Sequence, residues 1–474
     1  MNELLALLPE AVLALTGLLV FAALLAAEGR LRYARGAARL GGVLLVAACL
    51  ASFGHPGEFL ASSYRVDAFS QLVKLGVAAG YLLSVFIAGD GAGQREDARG
   101  ELFFFLLTSA AGLMVMASAV EALSLYLALE IASFSLFVLV PLREGFPAGK
   151  ESGLKFLVVG LAASALTLYG LSLLIGMTGT TRLPVMAASQ VVLSRDPAAM
   201  FALGLFAAGF LFKLALFPFH FWAPDVYEGA SHGVASFVAT ASKVAAVAIV
   251  CRLLVTAGLT PGPMAGALAV AAAVSMTLGN LVAIVQRDVK RMLAYSAVAQ
   301  AGYIAVGFTA FTAEGIAAAL YYGLLYLLMN AAAFLVVARV AADGTNPSLE
   351  DLRGLHRRAP LLAATLLLAV FALAGVPPTA GFLGKWFLFR AAMLQGWWWL
   401  VLLGAINSTV SVYYYLIVVK HAYLLPAEQE RPVVLTTADK AVCYTLCASL
   451  LILGIYPGPV FAWANAAAVA LLHQ

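Results

Sequence analysis

The sequence predicts an all-α polytopic membrane protein of about fourteen transmembrane helices, built on two inverted five-helix repeats that each contain a proline-broken helix. Composition is the first observation behind this reading. Of 474 residues, 63% are apolar or aromatic and 11% are charged, against roughly 45–50% and about 25% in soluble proteins, and the mean hydropathy is +0.97. Segmentation is the second, because apolar stretches of the length a bilayer demands, about 20 residues, recur along the chain. The third is proline placement, with Pro218 and Pro377-Pro378 inside two stretches longer than one span.

A net charge of +4, from 28 basic and 24 acidic residues, is too small and scattered for a nucleic-acid partner. Cys49 and Cys251 lie alone in apolar runs, and Cys443 and Cys447 stand one turn apart in another. That pattern reads as core packing, with neither a disulfide framework nor a metal site.

Met1-Asn2-Glu3 leads into leucines without a basic segment or a small-residue cleavage site, which reads as a retained first helix. Spans are expected near 4–26, 38–54, 67–88, 101–119, 120–141, 153–177, 198–230, 233–256, 262–285, 290–311, 315–341, 360–394, 396–424 and 438–457. With these spans, the loops near 30–39, 95–99, 143–150, 287–291, 339–358 and 420–440 hold eighteen lysines and arginines. The opposite side holds five, Arg65, Arg182, Arg195, Arg252 and Arg390. Basic short loops remain cytoplasmic, so both termini are expected in the periplasm of a bacterial inner membrane. Trp397, Trp398 and Trp399 agree, forming an aromatic belt where the thirteenth span enters from outside.

Domain organisation follows from the spans: a three-helix segment (1–100), a five-helix unit (101–256), a second inverted unit (257–424), and a C-terminal helix with a tail (425–474). An odd number of spans per unit inserts the second copy upside down, as in transporters. In each unit the fourth helix is the broken one. Pro218 cannot donate to the carbonyl of Leu214, nor the proline pair to Leu373 or Ala374, so these acceptors need water or a polar side chain at membrane depth. A single kink is commonly satisfied by neighbouring helices. Two kinks in repeated units, with Lys213 before the first and Lys385 after the second, point to a hydrated ion path.

Glu130 lies ten residues into its span, about 15 Å from either face by helical rise, and Lys243 is equally central. Charges at that depth cost roughly 2.5–3.5 kcal/mol each to insert and persist with a partner, a wet cavity or proton exchange. Lys74 and Lys155 lie nearer span ends, where snorkelling competes with function. Burial disfavours an ammonium while a nearby carboxylate favours it, so a carboxylate at Glu130 that approaches and leaves Lys213 would drive proton uptake and release toward Lys243 or Lys385. His220 and His232 could relay protons near the cytoplasmic mouth, and Tyr321, Tyr322 and Tyr326 could hydrogen-bond waters. The sequence has no GxGxxG at a strand-to-helix turn, no GxxxxGK[ST] and no cysteine cluster for iron and sulfur. Redox or ATP energy therefore comes from partners.

Specific motifs carry a family resemblance. Phe212-Lys213-Leu214-Ala215 runs to Pro218-Phe219-His220 and then Trp222-Ala223-Pro224-Asp225-Val226-Tyr227-Glu228-Gly229-Ala230. Lys290-Arg291-Met292-Leu293-Ala294-Tyr295-Ser296 leads to Gly302-Tyr303. Ala374-Gly375-Val376-Pro377-Pro378-Thr379-Ala380-Gly381-Phe382-Leu383-Gly384-Lys385 marks the second break, and Asn407-Ser408 precedes Tyr413-Tyr414-Tyr415. Over about residues 65–424 this resembles the antiporter-like, proton-translocating membrane subunits of respiratory complex I (NADH-quinone oxidoreductase). Lysine at 385, and an end soon after the fourteenth helix, is similar to the subunit N family. The resemblance implies a subunit of a translocase, with Glu130 and Lys213 as the coupled pair of a first half-channel, Lys243 as the link, Lys385 in a second half-channel and Lys155 in a secondary role. It implies no cofactor in this chain, with NADH, FMN, iron-sulfur clusters and quinone in other membrane and peripheral subunits. Two departures stand out: Gln300 where many relatives have histidine, and Ser231-His232-Gly233 in a stretch that often reads with proline and threonine. A cation/proton antiporter or membrane-bound hydrogenase subunit would share the buried lysines, and a structural membrane scaffold would need none of the charges.

Orientation is directly testable. A cysteine or tag placed at residue 474 is expected to react with membrane-impermeant reagents from outside the cell, and labelling from the cytoplasmic side alone would overturn both orientation and span count.

Overall fold

The computed structural model describes residues 2–25, 30–189, 196–259, 262–427 and 432–473. Arg195, Arg431 and Gln474, used in the loop count and the labelling test, lie outside the described residues. The principal helices are α1 (Leu8–Leu24), α2 (Arg30–Ser52), α3 (Ala68–Ala88), α4 (Arg99–Ser118), α5 (Ala122–Leu139) and α6 (Ala148–Thr178). They continue with α7 (Pro197–Leu214), α8 (Trp222–Gly229), α9 (His232–Ala239), α10 (Ala241–Thr256), α11 (Pro263–Ile284), α12 (Val289–Phe308) and α13 (Ala313–Val340). The last are α14 (Pro360–Ala374), α15 (Ala380–Leu394), α16 (Trp398–Tyr423), α17 (Thr437–Ile455) and α18 (Gly458–Leu472). A two-stranded hairpin, β1 (Gly57–Phe59) with β2 (Tyr64–Val66), joins α2 to α3.

Among the described residues, 11 helices are long and apolar enough to cross a membrane, and Leu8–Leu24, Pro360–Ala374 and Gly458–Leu472 are shorter apolar helices. The stretch expected at 198–230 is broken into α7 and α8, and that at 360–394 into α14 and α15, each across its prolines. Two features depart from the expected spans. The eighth is interrupted at Thr240, between α9 and α10, without a proline. The expected tail after residue 457 contains a further helix, α18, started by Pro457 and Pro459 and packed on α13 and α3.

Alternate loops gather at opposite ends. At one end, bridges join Gln94 to Arg143 and Asp288 to Ser348, and the Arg143 guanidinium donates to the carbonyls of Glu228 and Gly344. At the other end, Tyr64 bridges Ala119 and Glu121 bridges Arg182. Not every basic residue in the loop count faces water. Lys290 is 0% exposed and donates to the Ala230 carbonyl, while Arg252 is buried on α10, donating to the Ala117 carbonyl at 2.9 Å. Helices α9 and α10 run through the centre, buried throughout except at Val255.

The stretches 101–256 and 257–424 share a packing device. A Cβ on Gly112 of α4 would lie 2.6 Å from the Ala132 nitrogen and 2.8 Å from the Ala128 oxygen of α5. A Cβ on Gly279 of α11 would lie 2.6 Å from the Ala299 nitrogen and 2.7 Å from the Tyr295 oxygen of α12. The same shift in numbering carries 112 to 279 and 132 to 299, so one backbone-to-backbone approach through a small residue recurs in both stretches. Backbone cannot yield as a flexible side chain does, and overpacking of this kind costs about 1–3 kcal/mol. Gly112→Ala and Gly279→Ala are each expected to lower the thermal midpoint of the purified protein. Gly204→Ala, where nothing lies within 4 Å, is expected to leave it unchanged or raise it slightly, because alanine is the better helix former.

Candidate functional site

At the first break α7 ends at Leu214, and the carbonyl that Pro218 leaves free, with that of Lys213 before it, meets an amine from another helix. Lys243 of α10 donates from Nζ to the Leu214 oxygen at 2.7 Å and to the Lys213 oxygen at 3.3 Å. Trp222, at the start of α8, closes the break from its far side by donating Nε1 to the Phe212 oxygen at 2.9 Å, and its ring lies 5.3 Å from Lys243 Nζ. The amine thus sits between these carbonyls and an aromatic face, two surfaces that accept a cation.

Lys213, on the last turn of α7, faces α5. Its Nζ donates to Ser133 Oγ at 3.1 Å. Glu130, one turn earlier on α5, instead accepts a 2.6 Å hydrogen bond from Ser164 of α6, whose hydroxyl also meets Tyr126 at 3.0 Å. Glu130 and Lys213 therefore reach neighbouring turns of α5, yet no ion pair within 4 Å joins them among the described residues. Each polar end rests on a serine.

At the second break α14 ends at Ala374, and all the carbonyls freed by the proline pair find donors. Ala374 accepts from Lys385 Nζ at 2.9 Å and from Ser408 Oγ at 3.0 Å, and Lys385 also donates to Ser408 at 2.9 Å. Leu373 accepts from Gln300 Nε2 at 2.9 Å, and Gln300 Oε1 accepts from Tyr322 at 2.5 Å. Lys385 Nζ stands 4.2 Å from the centre of the Tyr303 ring. From there hydrogen bonds run through Asn280 to Tyr414 and Asn407. A cavity of about 540 Å³ extends from Lys385 and Ser408 to Trp386, Phe389 and Arg390.

The remaining candidates separate by environment. Lys155 is half exposed and pairs with Glu151 at 2.8 Å and Asp225 at 3.0 Å, where Asp225 also holds Arg291. Lys74 does not snorkel: it is 1% exposed and paired at 2.5 Å with Glu10 of α1, which also accepts from the Tyr64 hydroxyl. His220 and His232 are buried, and His232 Nε2 meets the Ala341 oxygen at 3.1 Å. Tyr322 bonds Gln300, Tyr321 donates to the Leu453 oxygen, and Tyr326 is buried. Among the described residues, no group of three or more His, Cys, Asp or Glu side chains converges as a metal site would.

Sequence reasoning did not single out Ser133, Ser164, Asn280 or Glu10, and it noted Ser408 only within a family motif, with no role as a donor to the second break. Ser133 carries a signal, since it lies one turn from Glu130 on the same helical face. Ser164 and Glu10 carry none, because their helices are placed beside α5 and α3 by tertiary packing alone.

The family described as NADH:quinone oxidoreductase/Mrp antiporter, TM, matches residues 119–411. A protein of Solidesulfovibrio magneticus named NADH-quinone oxidoreductase subunit N 2 is 44% identical over 89% of this chain and 90% of its own. One of the same name from Opitutus terrae is 42% identical over 96% of both chains. In respiratory complex I from Thermus thermophilus with bound aureothin, one chain is 34% identical with a TM-score of 0.83, covering 96% of this chain and 98% of that one. A chain of the Mrp complex from a Dietzia species, 21% identical with a TM-score of 0.87 over 99% and 97%, shares the fold. The chain belongs to the NADH-quinone oxidoreductase subunit N family, within the wider group of NADH:quinone oxidoreductase and Mrp antiporter membrane proteins.

Proposed function

We propose that this chain is the proton-translocating subunit N of a membrane-embedded NADH:quinone oxidoreductase, moving protons on Glu130, Lys213, Lys243 and Lys385 while other subunits carry the electrons. One observation supports this reading above the rest. Lys213, Lys243 and Lys385 are each at most 4% exposed, and none has a carboxylate within 4 Å among the described residues. Their contacts are serine hydroxyls and freed carbonyls. A permanent charge at such depth is costly without a counter-ion, whereas an amine that loads and unloads a proton carries the charge only in transit.

In this reading Glu130 and Lys213 form the switch of the first unit (101–256), Lys243 is the link, and Lys385 serves the second unit (257–424). Lys155, half exposed in a surface network, has a secondary role at the basic end. NADH, FMN, iron-sulfur clusters and quinone belong to partner subunits in a bacterial inner membrane, with the basic loops in the cytoplasm and both termini outside. The relatives named subunit N favour this over a cation/proton antiporter, a membrane-bound hydrogenase or a structural scaffold.

Lys385 provides the test. Arginine retains the charge and the hydrogen bonds but scarcely releases its proton, with a pKa above about 12. In assembled complex, Lys385→Met and Lys385→Arg are both expected to lower NADH-driven proton translocation at least tenfold. A Lys385→Arg variant that assembles and pumps at the native proton-to-electron ratio would falsify the carrier role and leave a fixed cation capping Ala374. Glu130→Ala and Lys213→Ala are expected to impair coupled turnover with assembly intact, and Glu130→Asp to be milder. Normal pumping by both alanine variants would remove the switch from transport.

A further inference from the structure

Between Lys243 and the basic end of the molecule lies a buried polar stripe that the residues above do not use. We propose that the hydroxyls of Ser84, Ser236 and Thr240 form a proton-conducting ladder that joins the cavity beside His232 to Lys243. The inference rests on the reading of Lys243 as a proton carrier. His232 and Ser236 stand four residues apart on one face of α9, and Thr240, at the interruption between α9 and α10, leads into Lys243 on the first turn of α10. Ser84, from the facing turn of α3, lies 3.4 Å from Ser236 Oγ and 3.4 Å from Thr240 Oγ1. All three hydroxyl residues are 0% exposed.

The upper end opens into a cavity of about 410 Å³ lined by Ser231, His232, Arg39, Arg339 and Asp439. His232 presents the cavity end of the stripe, with Nε2 donating to the Ala341 oxygen and Nδ1 without a partner among the described residues, so the Nδ1 lone pair is available to a proton. His232 and Ser236 stand about one helical turn apart, roughly 5 Å by helical rise, the span of one bridging water, and a second bridging water completes the proposed path from Thr240 to Lys243.

Holding the helices together does not require these hydroxyls. A Cβ on Gly80 would lie 2.8 Å from the Ala241 nitrogen, and one on Gly233 would lie 2.9 Å from Ala88 Cα, so backbone contact already joins α3 to α9 and α10 on both sides of Ser84. The contacts of Ser84 are at the long end of the hydrogen-bonding range, so its hydroxyl is free to turn, whereas Thr240 Oγ1 donates to the Ser236 oxygen at 2.7 Å and leaves that bond to pass its proton on. In the transfer each hydroxyl accepts one proton and passes its own to the next oxygen, and the last proton ends on the neutral Lys243 amine. Nothing is oxidised or reduced, and the hydroxyls rotate back before the next passage.

The test uses the intact complex in closed membrane vesicles, with proton translocation and electron transfer measured together. Ser84→Ala combined with Thr240→Val is expected to lower NADH-driven translocation at least tenfold with normal assembly. Ser84→Thr with Thr240→Ser, which keeps both hydroxyls, should remain within twofold of native. Thr365→Val, which removes a buried hydroxyl bonded to the Leu361 oxygen far from the stripe, should pump normally. If the Ala/Val pair assembles and pumps at the native rate, the ladder is overturned; where that pair does not assemble, Ser236→Ala carries the same two readings. Lys243→Met separates this inference from its parent: loss of pumping there with a normal Ala/Val pair sinks the ladder alone, and normal pumping by Lys243→Met sinks both.

Discussion

A helix that stops inside a membrane leaves carbonyl groups that lipid cannot hydrogen-bond, each at a cost of several kcal/mol, and this chain stops two helices in that way. The donors that satisfy them cannot come from the broken helices alone, so they arrive from elsewhere in the sequence. Lys243 of α10 reaches Leu214, Gln300 of α12 reaches Leu373, and Ser408 of α16 joins Lys385 at Ala374. Each of these bonds fixes the depth and rotation of a second helix against a break. The tertiary arrangement of the centre, including the almost wholly buried run of α9 and α10, depends on this requirement more than on any apolar contact, since lipid is as apolar as leucine.

The same requirement is met with different chemistry in the two units. The shift in numbering that carries Gly112 to Gly279 also carries Glu130 to Ala297 and Ser133 to Gln300. The last freed carbonyl receives a lysine amine in the first unit and a serine hydroxyl in the second, where the lysine comes instead from the continuation of the broken helix itself. The second unit thus keeps the scaffold and lacks the carboxylate. Under the proposed function, protonation of Lys385 is governed by hydration and by its carbonyl and hydroxyl contacts, while Lys213 also responds to the position of an acid.

What could be read from the sequence was what violates a membrane. Pro218, Pro377 and Pro378 break a hydrogen-bond ladder that lipid cannot repair, and Glu130, Lys213, Lys243 and Lys385 are charges at depths where apolar residues are expected. The carbonyls left needing donors were identifiable in advance, residue by residue, because the defect is local. Their donors were not, because partners such as Ser408 belong to helices whose neighbours are chosen by packing. The interruption at Thr240 was hidden for a different reason: no proline marks it, and its flanking residues suit a continuous helix. Lys74 was misleading because distance along a helix shows how far an amine must reach to water and says nothing of Glu10 on α1, which pairs with it first.

The placement of Glu130 and Lys213 bears on how such a switch stays reversible. Removing one partner from a buried ion pair costs about 3–5 kcal/mol, which would lock a simple pair closed. Here the separated arrangement has its own contacts, Ser164 to the carboxylate and Ser133 to the amine, and hydrogen bonds to charged groups contribute about 1.5–3 kcal/mol each. Under the proposed function, two such bonds offset much of the attraction lost on separation and bring the two arrangements close in free energy. Carrying a two-state element from 1:99 to 99:1 takes about 5.5 kcal/mol. Under the proposed function, the serines on α5 and α6 remove the bias toward the closed pair, so that a perturbation of that size from a neighbouring subunit carries the switch fully from one arrangement to the other.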